Sequence, residues 1–375
     1  MLTKSFGWRR LGVAAAALAC AAAAAPAAAS AAPGTTVVAG NASSAPAVSE
    51  AAWDIGRARF GADVTASEAV SAYWTPERMR DATPVEEAPF LAAAGERYEA
   101  KLAAQERKAD LKVLRRARPP KARPEVTIEP AAAVDETVSG VAAAFNPNLP
   151  FSHATARTNG KVFFNLNGGS YVCSAAVVNS EGRDTVWTAG HCVHGGRGGQ
   201  WATNWQFVPA YDDDLINPRP YGTWTAIQLW TRNAWINDSN FAEDMGVAIL
   251  GTRNGLHIVD QMGGHGFRVN AGKNVFERAF GYPAEAPFDG GNLMSCAGTS
   301  SPEWQVLFFS SETIKIPCDM TRGSSGGPWL HGYDGNYGYL NGVNSRIDRI
   351  VGPTIMLSPY FDDTALSLYN TTRNL

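Results

Sequence analysis

Residues 161–360 predict an all-β fold. Three observations carry that expectation. Short runs rich in Val, Ile, Phe, Trp and Thr recur at 162–166, 171–178, 185–188, 205–208, 223–230, 245–250, 275–280, 304–309, 337–343 and 355–360. Gly, Asn, Asp and Pro fill the gaps between them, where a chain of strands has to turn. Long amphipathic helical patterns are missing from the same stretch. A barrel and a sandwich both satisfy this pattern, and periodicity alone does not choose between them.

The elements that precede the strands have a different texture. Lys4, Arg9 and Arg10 make a positive start, residues 11–25 a short apolar stretch closed by Pro26, and Ala29-Ser30-Ala31 a small-x-small cleavage pattern. Together they predict an export signal over residues 1–31. The stretch is too short to span a bilayer comfortably, and no other segment approaches its length, so no membrane association is expected after signal cleavage. A lipid anchor through Cys20 is disfavoured, because Ala17-Leu18-Ala19 does not place Leu where such a signal needs it.

Residues 32–52 are small and polar, with little to bury, and are expected to be disordered. Residues 89–118 read as a charged helix: Leu91, Tyr98, Leu102, Leu111 and Leu114 stand among Glu, Lys and Arg, and Pro89 is tolerated in a first turn. Pro119, Pro120, Pro124 and Pro130 end it and make a stiff linker. Residues 32–145 are therefore expected to be a propeptide, partly disordered and partly helical. A permanent N-terminal extension or interaction helix is the alternative.

The 375 residues carry a net charge of −3, which offers no basic surface for nucleic acid. Of five cysteines, Cys20 leaves with the signal. The remaining four, Cys173, Cys192, Cys296 and Cys318, are even in number and fall in the β-rich region, as disulfides of an exported protein would.

Two motifs carry chemistry. Gly323-Ser324-Ser325-Gly326-Gly327-Pro328 sets a serine among glycines, which permit a tight turn and aim N–H groups at a developing oxyanion. Thr188-Ala189-Gly190-His191-Cys192 supplies an imidazole, whose ordinary pKa suits a base at neutral pH. A carboxylate is then needed to hold the imidazole tautomer. Asp244 opens the apolar strand Met245-Gly246-Val247-Ala248-Ile249-Leu250, and Glu243 and Asp238 are its rivals.

These runs resemble the histidine and serine motifs of trypsin-like, chymotrypsin-fold serine peptidases, including the secreted bacterial, glutamyl endopeptidase-like group. The likeness covers residues 146–375. It implies two six-stranded antiparallel β-barrels with the active site in the cleft between them. His191, Asp244 and Ser325 would be the triad, in the chain order the family uses. Backbone N–H groups of Gly323 and Ser325 would form the oxyanion hole, and Ser345 would line the substrate main-chain site. In this family the cysteine after the histidine pairs with one a strand and a turn earlier, so Cys192 would join Cys173, leaving Cys296 for Cys318. Residues 363–373 would be the terminal helix, capped by Asp362 or Asp363.

Asp319 stands six residues before Ser325, at the family position for the base of the primary pocket, and implies a preference for Arg or Lys substrates. Arg322 and Arg346 would flank the cleft with positive charge, and Asn344 is not the His expected of glutamate-specific members. The chain departs from the family at Ser324, where an Asp usually pairs with a newly formed N-terminal ammonium. Activation by N-terminal insertion therefore lacks its buried partner, and release of a masking propeptide is the better expectation.

Other functions fit less well. The serine run also satisfies the nucleophile elbow of α/β-hydrolases, but that class orders its triad Ser, acid, His, and only His331 follows Ser325. A catalytically inactive, peptidase-like binding module is the remaining alternative. His194, His257, His265 and His331 lack zinc spacing, and Asp212-Asp213-Asp214 lacks the spaced ligands of a calcium loop, so no metal or cofactor is expected. The expected partners are protein or peptide substrates, encountered by a secreted, extracellular monomer.

Overall fold

The computed structural model describes residues 36–108, 121–132, 149–306, 309–348 and 354–375. The expected export signal and the expected junction at residue 145 lie outside them.

The first lobe is a closed barrel. β5 (Asn159–Leu166), β6 (Gly169–Val177), β7 (Thr185–Thr188), β8 (Thr203–Pro209), β9 (Trp224–Arg232) and β10 (Gly246–Leu250) pair in the ring order β9-β10-β7-β6-β5-β8, and β8 returns to β9. Alternation along these strands sends Phe164, Cys173, Trp187, Phe207 and Leu229 into one core. Full closure leaves few free edges in the ring.

The second lobe is built as two sheets. One runs β13-β12-β18-β19-β11-β4, from β4 (Val126–Ile128), β11 (Gly266–Val269), β12 (Phe276–Gly281), β13 (Met294–Thr299), β18 (Pro328–His331) and β19 (Tyr339–Val343). The other runs β14-β17-β21-β20, from β14 (Ser301–Pro302), β17 (Thr313–Pro317), β20 (Arg346–Ile347) and β21 (Ile355–Pro359). A separate pair, β15 (Gln305–Val306) with β16 (Phe309–Ser310), stands apart. Ala279, Ile314, Ile316, Trp329 and Met356 fill the space the two larger sheets enclose. The fold is thus all-β, in two lobes.

Both disulfides are formed, Cys173–Cys192 and Cys296–Cys318. The first staples β6 to the turn that carries His191. The helix Asp363–Thr372 ends the chain, capped by Asp362, whose side chain accepts from Thr364 N–H.

The N-terminal segment is more ordered than its composition predicts. Residues 37–46, expected to be disordered, form a hairpin of β1 (Val37–Ala39) and β2 (Ala42–Pro46) turning at Gly40, whose φ is 59°. Small residues cannot hold a strand by burial alone. Here β2 gains its partner from the barrel, pairing with β9 from Ala42 opposite Arg232 to Pro46 opposite Gln228. β10 takes one edge of β9, while β8 and β2 share the other. Helices α1 (Glu50–Phe60), α2 (Ala66–Tyr73) and α3 (Pro76–Arg80) follow, with Ser49, Thr65 and Thr75 as N-caps. Trp74, beyond α2, is buried against Phe163 and donates its indole N–H to Asn204 O at 2.7 Å. After β3 (Thr83–Pro84) comes α4 (Pro89–Lys108), the described part of the expected charged helix.

Candidate active site

The cleft residues arrive on strand ends. Gly246 of β10 lies opposite Thr188 of β7, so Asp244 and His191 emerge side by side from the same end of the barrel. Ser325 lies on the turn before β18, and Ser345 on the turn between β19 and β20, both from the second lobe.

His191 and Asp244 are fully buried and doubly joined. Nδ1 of His191 lies 2.8 Å from Asp244 Oδ2, and the His191 backbone N–H donates to Asp244 Oδ1 at 2.8 Å. Ser345 Oγ donates to the same Oδ2 at 2.6 Å. Three donors from two lobes therefore orient one carboxylate. The rivals stand elsewhere: Glu243 pairs with Arg232 at 2.8 Å, and Asp238 is exposed.

With Nδ1 donating to Asp244, Nε2 of His191 is left with the lone pair a base needs. It is buried and has no hydrogen-bond partner among the described residues. Burial alone pulls the imidazole pKa down. The charge and hydrogen bond of Asp244 outweigh that, with Glu86 adding to them, and hold it above the usual value.

Glycines shape the serine turn. Gly323 and Gly326 have φ of 92° and 81°, a backbone region that side chains disfavour. A Cβ on Gly326 would come within 2.0 Å of Thr188 Oγ1 and 2.4 Å of Ser174 O. The histidine and serine motifs thus fit against each other atom by atom. Ser174, which sequence reasoning missed, clamps the turn: its N–H donates to Ser325 O at 2.7 Å, and its Oγ donates to Gly323 O at 3.0 Å. Its one sequence signal is its place beside Cys173. Ser324 lies buried, its hydroxyl donating to Thr321 O at 2.8 Å. Asn344 is a structural residue, accepting from the Trp329 indole and donating to Phe280 O and Ser324 O.

The Ser325 hydroxyl donates to Glu86 Oε1. Of the two expected oxyanion donors, the Gly323 N–H also reaches Glu86, at 3.2 and 3.3 Å from its two carboxylate oxygens. Sequence reasoning misses Glu86, because the acidic pair Glu86-Glu87 between Pro84 and Pro89 matches no catalytic pattern.

A cavity of about 540 Å³ opens beside Ser325, bounded by Leu91 and Gly95 of α4, Ser325, Ser345, Arg346 and Met356. Ser345 bounds this cavity while its hydroxyl turns to Asp244. Asp319 differs from expectation. It is exposed and is not among the residues bounding the cavity, because the chain beyond the buried Cys318 carries it outward. The charged side chains that do bound the cavity from the two lobes are Glu285, Arg322 and Arg346. Arg322 pairs with Glu285 at 3.2 Å, and Arg346 pairs with Glu303 at 2.6 Å and with Glu99 of α4.

Among the described residues no helix is long and apolar enough to cross a membrane. No family model matches the chain, and no curated protein sequence does so. Solved structures do match. A thermostable serine protease from an extremophilic microorganism is 41% identical, with a TM-score of 0.54, over 59% of this chain and 98% of that one. The protease Anisep of Arthrobacter nicotinovorans is 40% identical, with a TM-score of 0.53, over 59% of this chain and 97% of its own. At that identity over nearly the whole of both relatives, the chain belongs to the trypsin-like, chymotrypsin-fold serine peptidases, alongside these bacterial serine proteases.

Proposed function

We propose that this protein is a secreted serine endopeptidase, made as a precursor with an N-terminal propeptide over residues 32–145. It hydrolyses peptide bonds through an acyl-enzyme. Ser325 Oγ attacks the scissile carbonyl while His191 Nε2 takes its proton. His191 then returns that proton to the leaving amine, and water repeats the sequence on the ester. Asp244 holds the imidazole and stabilises its charged form. The N–H groups of Gly323 and Ser325 receive the carbonyl oxygen as it becomes anionic.

The observation that carries this reading is the convergence of His191 and Asp244 at 2.8 Å, at the barrel end that abuts the Ser325 turn. The three residues come from segments 53 and 81 positions apart (244 − 191 and 325 − 244). Export is supported by two disulfides and by the signal-like start. Substrates are proteins or peptides. The exposed position of Asp319 gives no support to a preference for basic side chains.

The test is incubation of the secreted, processed protein with a peptide library read by mass spectrometry, with Ser325→Ala as control. Cleavage abolished by the substitution is expected. A processed wild-type protein that cuts nothing would return the chain to the alternative, a peptidase-like binding module.

A further inference from the structure

The N-terminal segment touches the catalytic centre through one turn. β3 runs parallel to β6, with Thr83 opposite Tyr171 and Pro84 opposite Val172. Residues Val85–Glu87 then make a single 3-10 turn, with Val85 buried in the first-lobe core. Anchored on both sides, the turn directs Glu86 at the serine loop. Its carboxylate accepts from the Gly323 N–H and from the Ser325 hydroxyl together.

We propose that residues 83–99 are an intramolecular inhibitor seated in the catalytic cleft, with the Glu86 carboxylate occupying the place of the reaction's anionic oxygen. This rests on the hydrolytic reading above. A carboxylate side chain has no leaving group, so Ser325 meets a group it cannot acylate. The hydroxyl donates to Glu86 and not to His191 Nε2, which separates nucleophile from base. The donor that must stabilise the tetrahedral intermediate is already satisfied by a full negative charge, and such charge-assisted bonds are the strong ones.

α4 secures the plug. Leu91 and Tyr98 are buried, and the Tyr98 ring meets Phe241 edge-on with centroids 5.3 Å apart. The Arg346 guanidinium lies 5.2 Å from the centre of the Tyr98 ring and pairs with Glu99. The helix therefore roofs the cavity beside Ser325 with an acid matched to the cleft's own arginine. The partner this cleft fits is the segment that precedes it in the same chain.

The test is fluorophosphonate labelling of the full-length protein and of the processed protein separated from its segment. Gel separation shows which species carries the label. Uncut wild type is expected to label at least about tenfold more slowly than processed enzyme, and uncut Glu86→Ala to recover most of that difference. Glu86→Gln, which keeps an acceptor oxygen but not the charge, should fall between them, and it serves as the readout if Glu86→Ala does not accumulate. Uncut Glu86→Ala or Glu86→Gln labelling as slowly as uncut wild type overturns the plug, as does uncut wild type labelling as fast as the processed form. In both cases the peptidase reading survives. Processed wild type that takes no label defeats the peptidase reading itself.

Discussion

The cleft is bounded by two regions that each present a carboxylate, and the two are held in opposite ways. Behind it, Asp244 comes from the barrel end, is fully buried, and is gripped by His191 twice and by Ser345 once. In front of it, Glu86 comes from the N-terminal segment, is half-buried, and reaches Gly323 and Ser325 from one short turn. The first carboxylate organises the base and belongs to the lobes. The second engages the Ser325 hydroxyl and belongs to the segment proposed above to be removed. On the proposed reading the same chemical group serves catalysis or opposes it according to the atom it faces and the permanence of its anchor.

The comparison breaks most sharply at Asp244. Asp244→Asn in the processed enzyme should keep the shape of the site but misdirect the imidazole, lowering kcat by about 10⁴-fold with KM little changed. A loss under tenfold would mean that Asp244 does not govern the base. Gly326→Ala should be next. Its Cβ would lie 2.0 Å from Thr188 Oγ1 in a backbone conformation side chains disfavour, so destabilisation by roughly 3 kcal/mol or more is expected from a thermal melt.

Ser345→Ala removes one of the three donors on Asp244 and leaves the two from His191. A fall in kcat of about ten- to a hundredfold is expected, with the pH profile of kcat shifted; an unchanged profile would make Ser345 a wall residue only. A third carboxyl sharpens the contrast. Glu277 on β12 is fully buried with one donor, the Asn341 amide at 2.6 Å, and its other oxygen has no partner among the described residues. Burial pushes its pKa to about 8. The folded chain therefore keeps a proton that the unfolded chain gives up near pH 4.5, and stability falls as pH climbs between those values. Glu277→Gln should remove that slope, raising Tm at pH 8 and leaving it unchanged at pH 4.5. Equal effects at both pH values would contradict it.

The smallest effect concerns the segment's grip. Of the groups that raise the His191 pKa, Glu86 alone belongs to the N-terminal segment. The segment therefore favours protonated His191. Its hold should be full below the imidazole pKa and weaken as pH rises through it. Binding of the cut segment measured across that range would check the sign.

The back of the cleft is legible in the sequence and the front is not, for a physical reason. His191, Asp244 and Ser325 sit in local motifs, marked by glycines, a flanking Cys and a following apolar strand. The first lobe's strands are readable from their apolar runs, whereas β11, β13, β17 and β18 of the second lobe fall outside the runs read in the sequence; the terminal helix is readable because Asp362 caps it. Glu86 carries no such signal, since its role depends on a turn fixed by Val85 in a distant core. Residues 37–46 read as unstructured because small side chains make no strand alone, while the hydrogen bonds that order them are supplied by β9. The sequence marks Ser345 for the wall it lines, but its hydroxyl bond to Asp244 needs the second lobe in place. Counting back from Ser325 puts Asp319 in the pocket, and counting does not follow the turn beyond Cys318.

One feature of the barrel governs what proteolysis alone can achieve. Ala47, just past β2, donates to Ile227 O and accepts from the Trp205 N–H, each at 3.4 Å, so the hairpin is wedged between two strands of the closed ring. Severing the chain beyond α4 breaks none of these bonds. It converts an attached ligand, present at an effective concentration of about millimolar, into a separate one subject to mass action. Activity per molecule should then climb as the nicked protein is diluted, making the volume into which it is released part of its switch.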